Sequence, residues 1–375
     1  MPAIAAPPSL IQLKPSLAGS GPRVESLAQA LHDQSDSELS VLFEKSWGVF
    51  DEIASRHLPR WVVTFSGGKD STLAAILASD YVAQMNQPPS LDIIYSDTLM
   101  EIPPMRQAAG SFLDYLSSFA ADRKLPIETR IVRPRVEDRF WVRMIGRGYP
   151  PPKPKFRWCT KRLKISPAAP FVNTGVPTAV LTGVRYGESA GRTGRLVASC
   201  TNGGECGQDY WAERGPRGSN ITYFAPVIDW KTCKVWDFLH FVAPQAGWPT
   251  QDVFALYGDT SLRFGCWTCT LVRRDRTLEV LVGRGGDDTL PKLNAFRNEV
   301  LYESKLWMNR WPRKHRGVMR KGPLCLRYRI ELLERVRGLE ADTGLELLSH
   351  EEEAEIRALW SRLPLRARGA LSDVE

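Results

Sequence analysis

The chain has 375 residues, of which 43% are hydrophobic and 25% charged, a composition that excludes a disordered or fibrous protein. Its length exceeds the roughly 250–300 residues of a single hydrophobic core, so we expect a large domain and an appended region. Fifty Lys and Arg against 42 Asp and Glu give a net charge of +8, which favours polyanionic partners. Because no apolar run reaches the ~18 residues of a membrane span and the first residues lack a secretory pattern, we expect a cytoplasmic protein with no membrane partner.

The beginning of the chain predicts a tail followed by an amphipathic helix. Residues 1–23 contain five prolines and no amphipathic period, which is typical of a disordered tail. Ser35 and Glu38 have the spacing of a capping box. The apolar residues that follow recur on one helical face: Leu39, Leu42, Phe43, Trp47, Phe50 and Ile53.

Strand and helix patterns then alternate, which predicts βαβ units and a parallel sheet. In chain order the prediction is strand 61–65, helix 70–85, strand 91–95, helix 103–123, and strands 127–132, 178–182 and 224–228. Past residue 276 the patterns become helical, first basic and then acidic. We therefore predict a tail 1–23, an α/β domain 24–275 and a basic, mainly helical C-terminal region 276–375.

A glycine-rich loop lies between the first strand and the next helix. Its two glycines permit a tight turn that presents backbone N–H groups to an anion, and the helix N-terminus favours negative charge. Lys69 adds a cation, and the Asp70 carboxylate is able to hold Mg²⁺. The spacing is not that of a Walker A loop, and an ordinary turn is the competing interpretation. The candidate phosphate ligands are Ser66, Gly67, Gly68, Lys69, Asp70 and Ser71.

This hexapeptide resembles the PP-loop of the ATP pyrophosphatase superfamily. The resemblance implies an adenine nucleotide alpha hydrolase-like fold, with ATP and Mg²⁺ as cofactors and adenylyl transfer that releases pyrophosphate. Residues 97–103 resemble the "DT-x-x-E-x-P" segment of the phosphoadenylylsulfate (PAPS) reductase-like branch, and residues 183–192 resemble its "GVR-x-x-ES-x-x-R" element. The implied catalytic residues are Lys69, Asp70, Asp97 and Arg185, and the further nucleotide contacts are Thr98, Gly183, Glu188 and Arg192.

Each of the two additional segments also has a simpler interpretation. Asp97 could cap the helix that starts near Pro103. The segment 183–192 could be a solvated surface loop.

Seven cysteines, an odd number in a long chain, favour reduced thiols, metal ligands or redox chemistry over a disulfide framework. Cys266 and Cys269 form a CxxC that by itself fits a zinc half-site, a redox pair or an iron–sulfur half-site. Residues 156–167 resemble the "R-x-C-x-x-x-LK-x-x-P" element of PAPS reductase-like proteins that carry a 4Fe–4S cluster. The resemblance implies a 4Fe–4S cluster held by Cys159, Cys266 and Cys269, with Cys206 narrowly favoured over Cys200 as the fourth ligand.

The alternatives for these thiols are zinc, or burial as small hydrophobic residues. Cys233 is expected to pack at a helix start, and Cys325 to be structural.

A basic and aromatic segment predicts a nucleic-acid footprint. Residues 305–330 hold nine Lys and Arg and no Asp or Glu, with Trp307, Trp311, His315 and Tyr328 interleaved, a pattern of cations for phosphates and rings for stacking. A second basic cluster, residues 153–164, contains Cys159. In the alternative interpretation the rings belong to the core and the cations form a solvated helical face, or they pair with the acidic stretch 351–355.

Residues 60–275 as a whole resemble PAPS reductase-like PP-loop proteins, and most closely the DndC-like DNA phosphorothioation proteins. The resemblance implies an ATP-dependent sulfurtransferase that forms AMP and pyrophosphate and places sulfur in the DNA backbone. Its implied partners are DNA, a cysteine desulfurase as sulfur donor and other proteins of a modification complex. The alternatives are a sulfonucleotide reductase, a tRNA-thiolating enzyme and a non-catalytic nucleotide-binding subunit.

Overall fold

The computed structural model describes residues 26–34, 36–186, 212–257, 265–285 and 288–363. The predicted tail and Ser35 lie outside these residues. Within them, no helix is both long enough and apolar enough to cross a lipid bilayer.

Two helices, α1 (Leu27–Gln34) and α2 (Ser37–Ser55), precede the sheet. The N-cap of α2 is Asp36, whose carboxylate accepts hydrogen bonds from the amides of Glu38 and Leu39, both at 3.0 Å. The predicted capping pair of Ser35 and Glu38 is therefore wrong by one position. The N-cap is Asp36, whose carboxylate satisfies amides at the start of the helix that have no partner within it. The predicted apolar face of α2 is buried, with Trp47 half-buried.

Among the described residues the central sheet has six strands in the order β3-β2-β1-β4-β6-β5, of which only β5 runs antiparallel to its neighbour. This confirms the predicted α/β class. The last predicted strand is displaced, because it ends at Phe224 instead of starting there. The strands are β1 Arg60–Phe65, β2 Ser90–Ser96, β3 Ile127–Val132, β4 Thr178–Leu181, β5 Ala212–Arg214 and β6 Ile221–Phe224.

The chain reverses direction across the sheet at β1. Helices α3 (Lys69–Gln84) and α4 (Pro103–Asp122) connect β1 to β2 and β2 to β3, after which β4 pairs with the free side of β1. Loops leaving the carboxyl ends of β1 and β4 consequently diverge and open a crevice, where parallel sheets of this kind bind ligands. The glycine-rich loop follows β1, so the topology places it at this crevice.

The two faces of the sheet are covered unequally. One face packs against α2, α3 and α4 in the largest hydrophobic cluster. The other face has a small cluster only partly covered by Ala168 and Val172 of helix α5 (Ser166–Val172). The cluster consists of Val62, Ile94, Val132, Val180 and Ile221.

The region after β6 is mainly helical, as expected. A second hydrophobic core joins residues 100–163 to this region and crosses residue 275; the domain boundary proposed there remains a prediction. The helices are α6 Thr232–Asp237, continued by Phe238–Val242 and Ala243–Gln245, then α7 Gln251–Tyr257, α8 Arg276–Gly283, α9 Thr289–Glu303, α10 Leu326–Thr343 and α11 His350–Ser361. Two π-helical segments, Val142–Gly146 and Thr160–Ile165, lie between β3 and α5.

The basic segment is not helical where it is most basic. Strands β7 (Arg310–His315) and β8 (Val318–Leu324) form an antiparallel hairpin, so the helical interpretation of these residues is wrong. The turn residues Arg316 and Gly317 have φ of 48° and 78°. Positive φ at both positions of a two-residue turn matches the twist of the paired strands, and Pro312 opposes a helix.

Candidate active site

The glycine-rich loop is held by its own hydrogen bonds. Gly67 has φ of 72°, in the left-handed region that favours glycine. The Ser71 hydroxyl accepts from the Ser66 amide at 3.1 Å and donates to the Gly68 carbonyl at 2.9 Å. Gly68 is the N-cap of α3, so the first amides of that helix have no partner within it. These amides and the helix dipole form a site for an anion.

Lys69, Asp70 and Arg185 form a connected charged network beside the loop. The Asp70 carboxylate accepts from the Lys69 ammonium at 2.9 Å and from the Arg185 Nε at 2.6 Å. Arg185, only 4% exposed, also donates to the carbonyl of Trp230 at 2.7 Å and to the hydroxyl of Thr232 at 3.1 Å. The three charged groups carry one net positive charge, which suits a bound polyphosphate.

Neither Lys69 nor Asp70 is exposed at the loop. Lys69 is 7% exposed, and both oxygens of Asp70 are bonded to neighbouring cations. The ammonium of Lys69 also lies 5.6 Å from the ring centre of Tyr257, which confines it further.

Gly183 allows the loop after β4 to touch the first turn of α3. A Cβ at this position would lie 2.7 Å from the carbonyl carbon and oxygen of Asp70 and 2.8 Å from the amide nitrogen of Ser71. Any side chain would therefore push the two segments apart. Two residues later the same loop delivers Arg185 to the Asp70 carboxylate.

A cavity of about 1110 Å³ extends from the glycine-rich loop across the partly covered face of the sheet. One part of its wall is polar and includes Ser66, Lys69, Asp70 and Arg185. The other part is mostly apolar, and apolar walls with a few fixed polar groups are typical of ligand sites. Its lining includes Ile94, Ile165, Ala168, Val172, Val180, Ile221 and Tyr223.

Asp97 and Thr98 follow β2 but do not line this cavity among the described residues. The Asp97 carboxylate, 2% exposed, accepts from Arg133 Nε and from the Leu99 amide, both at 2.9 Å. Thr98 donates to Glu101 at 2.7 Å. Glu101 is the residue of this segment that reaches the cavity, and burial raises its pKa. The geometry favours a positioning role for Asp97 over contact with nucleotide or Mg²⁺.

The CxxC loop is fixed against that segment. Cys266 forms a β-bridge with Glu101, and the Trp267 amide donates to the Met100 carbonyl at 2.9 Å. The Thr98 hydroxyl lies 3.4 Å from the sulfur of Cys266. From α9, the buried Arg297 donates twice to the Cys269 carbonyl, at 2.9 and 2.7 Å. The CxxC loop is therefore held both by the segment after β2 and by α9.

Lys164 connects the cysteines to the cavity. It lines the cavity and interacts electrostatically with the three described candidate thiols, those of Cys159, Cys266 and Cys269. Burial opposes its charge, but the neighbouring Cys266 and Glu101 outweigh that effect and raise the pKa of Lys164. Burial also raises the pKa of the Cys159 and Cys266 thiols.

The described thiols do not by themselves complete a metal site. Across residues 26–34, 36–186, 212–257, 265–285 and 288–363, no group of three or more His, Cys, Asp or Glu side chains is arranged to hold a metal ion. Thiol donors suit an iron–sulfur cluster or zinc, and Cys159, Cys266 and Cys269 are the described residues able to supply them. Four predicted site residues lie outside the described part of the chain: Glu188, Arg192, Cys200 and Cys206.

The two remaining cysteines differ from each other. Cys233 is exposed near the start of α6, so the predicted helix start is confirmed and the predicted packing is wrong. Cys325 is the N-cap of α10, and its thiol donates to the Met308 carbonyl at 3.5 Å.

Lys164, Tyr257 and Arg297 were not predicted as site residues, and Glu101 was included only within the motif at residues 97–103. Lys164 and Glu101 occupy fixed positions of the two motifs at residues 156–167 and 97–103, so the sequence could have indicated both. Tyr257 and Arg297 lie on distant helices and carried no local signal.

The fold and the site together define an α/β protein in which a glycine-rich loop with Lys69 and Arg185 opens onto a cavity near a CxxC loop. Residues 60–272 match the phosphoadenosine phosphosulfate reductase domain. The match covers more than half of the chain, and the protein belongs to this family of enzymes.

Individual relatives are distant. An uncharacterized protein of Methanocaldococcus jannaschii is 24% identical over 208 residues, which are 55% of this chain and 40% of that protein. The chain thus spans less than half the length of this curated relative. The phosphate complex of PAPS reductase from Candida auris is 17% identical with a TM-score of 0.37, covering 63% of this chain and 98% of that one. The U34-tRNA thiolase of Methanococcus maripaludis, solved with its [4Fe-4S] cluster, is 14% identical with a TM-score of 0.34, covering 70% and 77%.

Proposed function

We propose that the protein is an ATP-dependent sulfurtransferase that forms AMP and pyrophosphate and acts on nucleic acid, with the DNA backbone as its substrate. The observation that carries the proposal is the cavity that reaches from the glycine-rich loop to Glu101, Lys164 and Gly265, next to Cys266, which pairs with Glu101. A nucleotide held at one end and a sulfur-bearing group at the other would share one chamber.

The loop end of the cavity is suited to pyrophosphate as a leaving group. Lys69, Arg185 and the first amides of α3 are fixed before any ligand arrives. Preorganised donors of this kind stabilise charge that develops during phosphoryl and adenylyl transfer. Mg²⁺ would bind the nucleotide phosphates with the Asp70 carboxylate, an oxygen donor of the type this ion prefers.

The end of the cavity near the cysteines is suited to a sulfur-bearing group. An iron–sulfur cluster there would supply thiolate-ligated iron, held by Cys159, Cys266, Cys269 and a fourth residue for which Cys206 is the candidate. The chain's own contribution is to position these thiols: Arg297 and Met100 hold the CxxC loop, and Lys164 places a positive charge among the thiols. A cysteine desulfurase as donor and further proteins of a modification complex are the partners we propose.

A sulfonucleotide reductase is the second candidate, favoured by the family to which the chain belongs. The two candidates differ in what happens to the nucleotide. The sulfurtransferase cleaves ATP between the α- and β-phosphates, whereas the reductase consumes a sulfonucleotide and releases sulfite.

Product analysis with α- and γ-labelled ATP, Mg²⁺, duplex DNA and a cysteine desulfurase supplied with cysteine as sulfur donor tests the proposal. We expect AMP and pyrophosphate, and Lys69→Ala should lower their formation by about 10²–10³-fold, the usual cost of one preorganised donor. Lys124→Ala, which removes an exposed cation at the end of α4, is the matched control and should behave as wild type. Formation of ADP and phosphate, or sulfite release from PAPS without ATP cleavage, would refute it.

A further inference from the structure

The hairpin of β7 and β8 is exposed on both faces. Every residue from Trp311 to Lys321 is exposed, although a two-stranded hairpin alone is only marginally stable in water. Its root is fixed by Arg310, whose guanidinium donates to the carbonyls of Gly322 at 2.7 Å and Ser304 at 3.1 Å. We call residues 310–324 the basic ribbon.

The cations of the basic ribbon are not neutralised within the described part of the chain. Arg313 lies directly opposite Arg320 in the strand register, a like-charge pair that destabilises a hairpin. Among the described residues, neither arginine side chain forms an ion pair or a hydrogen bond, and the same holds for the side chains of Lys314 and Arg316. The repulsion between these like charges lowers the stability of the free protein, and a bound polyanion would neutralise it.

The acidic stretch does not supply the missing partners. Glu353 binds Arg337 and Arg357, and Glu351 and Glu352 lie 3.7 Å from Arg139. The predicted pairing of residues 351–355 with the basic segment is therefore wrong for these three carboxylates.

The wider basic segment divides into a structural part and an exposed part. Arg329 is 4% exposed and donates to the Gly146 carbonyl at 2.7 Å, and Tyr328 is fully buried. Trp307 and Trp311 remain 53% and 37% exposed. The predicted footprint of residues 305–330 therefore narrows to the basic ribbon and the tryptophan next to its root.

We propose that the basic ribbon docks in the major groove of duplex DNA. The B-form major groove, about 12 Å wide, admits a two-stranded β-ribbon, and six-residue strands extend about 20 Å along it. The A-form major groove of RNA is too deep and narrow for side chains to read, which favours DNA. Val318 and Met319, exposed near the turn, can make apolar contacts with thymine methyl groups.

The root of the ribbon is hydrogen-bonded to the segment that precedes Cys159. The Leu324 amide donates to the Gly148 carbonyl at 2.7 Å, and the segment after Gly148 leads directly to Cys159. DNA held by the ribbon would therefore be placed by the same core that places the thiols. This inference deepens the proposed function and rests on it for the choice of substrate.

The test is a salt titration of binding to labelled duplex DNA, with Arg313→Glu/Arg320→Glu as the variant. Each lost phosphate contact lowers the log–log salt slope by about 0.9. Between 50 and 200 mM salt, wild type should thus lose about twelvefold more affinity than the variant. Arg313→Lys/Arg320→Lys should retain binding. Lys45→Glu/Lys124→Glu, with the same change in charge on other surfaces, should retain the wild-type slope.

Three results would overturn the inference: no binding at 50 mM salt, equal or tighter binding of duplex RNA or single-stranded DNA, and equal loss in the control double variant. ATP binding measured without DNA should be unchanged in the ribbon variants. Failure of this inference is distinguishable from failure of the proposed function, because ADP formation refutes the latter whatever the DNA result.

Discussion

Gly183→Ala tests the contact between the two loops of the crevice. The new Cβ would lie 2.7 Å from the Asp70 carbonyl, and an ordinary contact of 3.4 Å requires the segments to separate by about 0.7 Å. Because the opposing atoms are backbone, this overpacking should cost about 1–3 kcal/mol. At about 0.8 kcal/mol/K of unfolding entropy for a chain of this length, 2 kcal/mol lowers Tm by about 2–3 °C.

The same separation should weaken ATP binding, since Arg185 and the first turn of α3 would no longer keep their relative positions. Misplacements near 1 Å cost up to about a hundredfold in rate, so we expect at least a tenfold loss of AMP formation. Calorimetric ATP titration and thermal melting measure both effects. Gly48→Ala is the matched control, because nothing lies within 4 Å of a Cβ there and alanine should stabilise α2 by about 0.5–1 kcal/mol. Unchanged Tm and ATP affinity in Gly183→Ala would refute the reasoning.

Three further sets of substitutions probe the charges and thiols. Asp70→Ala should destabilise the fold by about 2–3 kcal/mol in urea unfolding because buried Arg185 loses a charged partner, whereas Asp70→Asn keeps an acceptor and should cost less; equal losses would contradict this. Burial raises the pKa of Asp80 to about 6, so stability falls as pH rises from about 4 to 6; Asp80→Asn should gain stability over wild type across that interval, reaching about 3 kcal/mol at pH 7, and a pH-independent gain would argue against it. Anaerobic protein should contain about four irons per chain, lost on serine substitution of the ligand cysteines and retained in Cys325→Ser; stoichiometric zinc under iron-replete conditions would disprove the cluster. The ligand substitutions are Cys159→Ser, Cys266→Ser and Cys269→Ser, and loss of iron in Cys206→Ser but not Cys200→Ser would identify the fourth ligand.

Local patterns predicted most of the sheet because its inner strands β1, β2 and β4 are short, largely apolar and mostly buried. Arg60–Phe65 and Ile127–Val132 lie within one residue of the predicted strands. The hairpin was missed because its strands carry charges on both faces, so neither alternation nor apolar content distinguishes them from a solvated helix. The sequence feature that could have indicated the hairpin is Arg316-Gly317, because a two-residue loop that ends in glycine is typical of a β-hairpin turn.

The candidate site was predictable where neighbours in sequence are neighbours in space. The glycine-rich loop met this condition, and its position after β1 is as expected. The burial of Lys69 was not predictable, because it depends on Tyr257 and Arg185, which are more than 100 residues away along the chain. The same limit applies to Asp97, whose carboxylate is held by Arg133 from the end of β3.

The clamp of Arg297 on the Cys269 carbonyl has a consequence for the order of biosynthesis. Trp141 and Trp267 complete their packing only when Phe296 of α9 is present, and that core includes residues as late as Ile356. Because chains fold from the N-terminus as they are made, the sheet and its phosphate loop can form while the CxxC loop still lacks its clamp. During that interval the CxxC loop is not yet held by α9, and closure of this core then fixes its position.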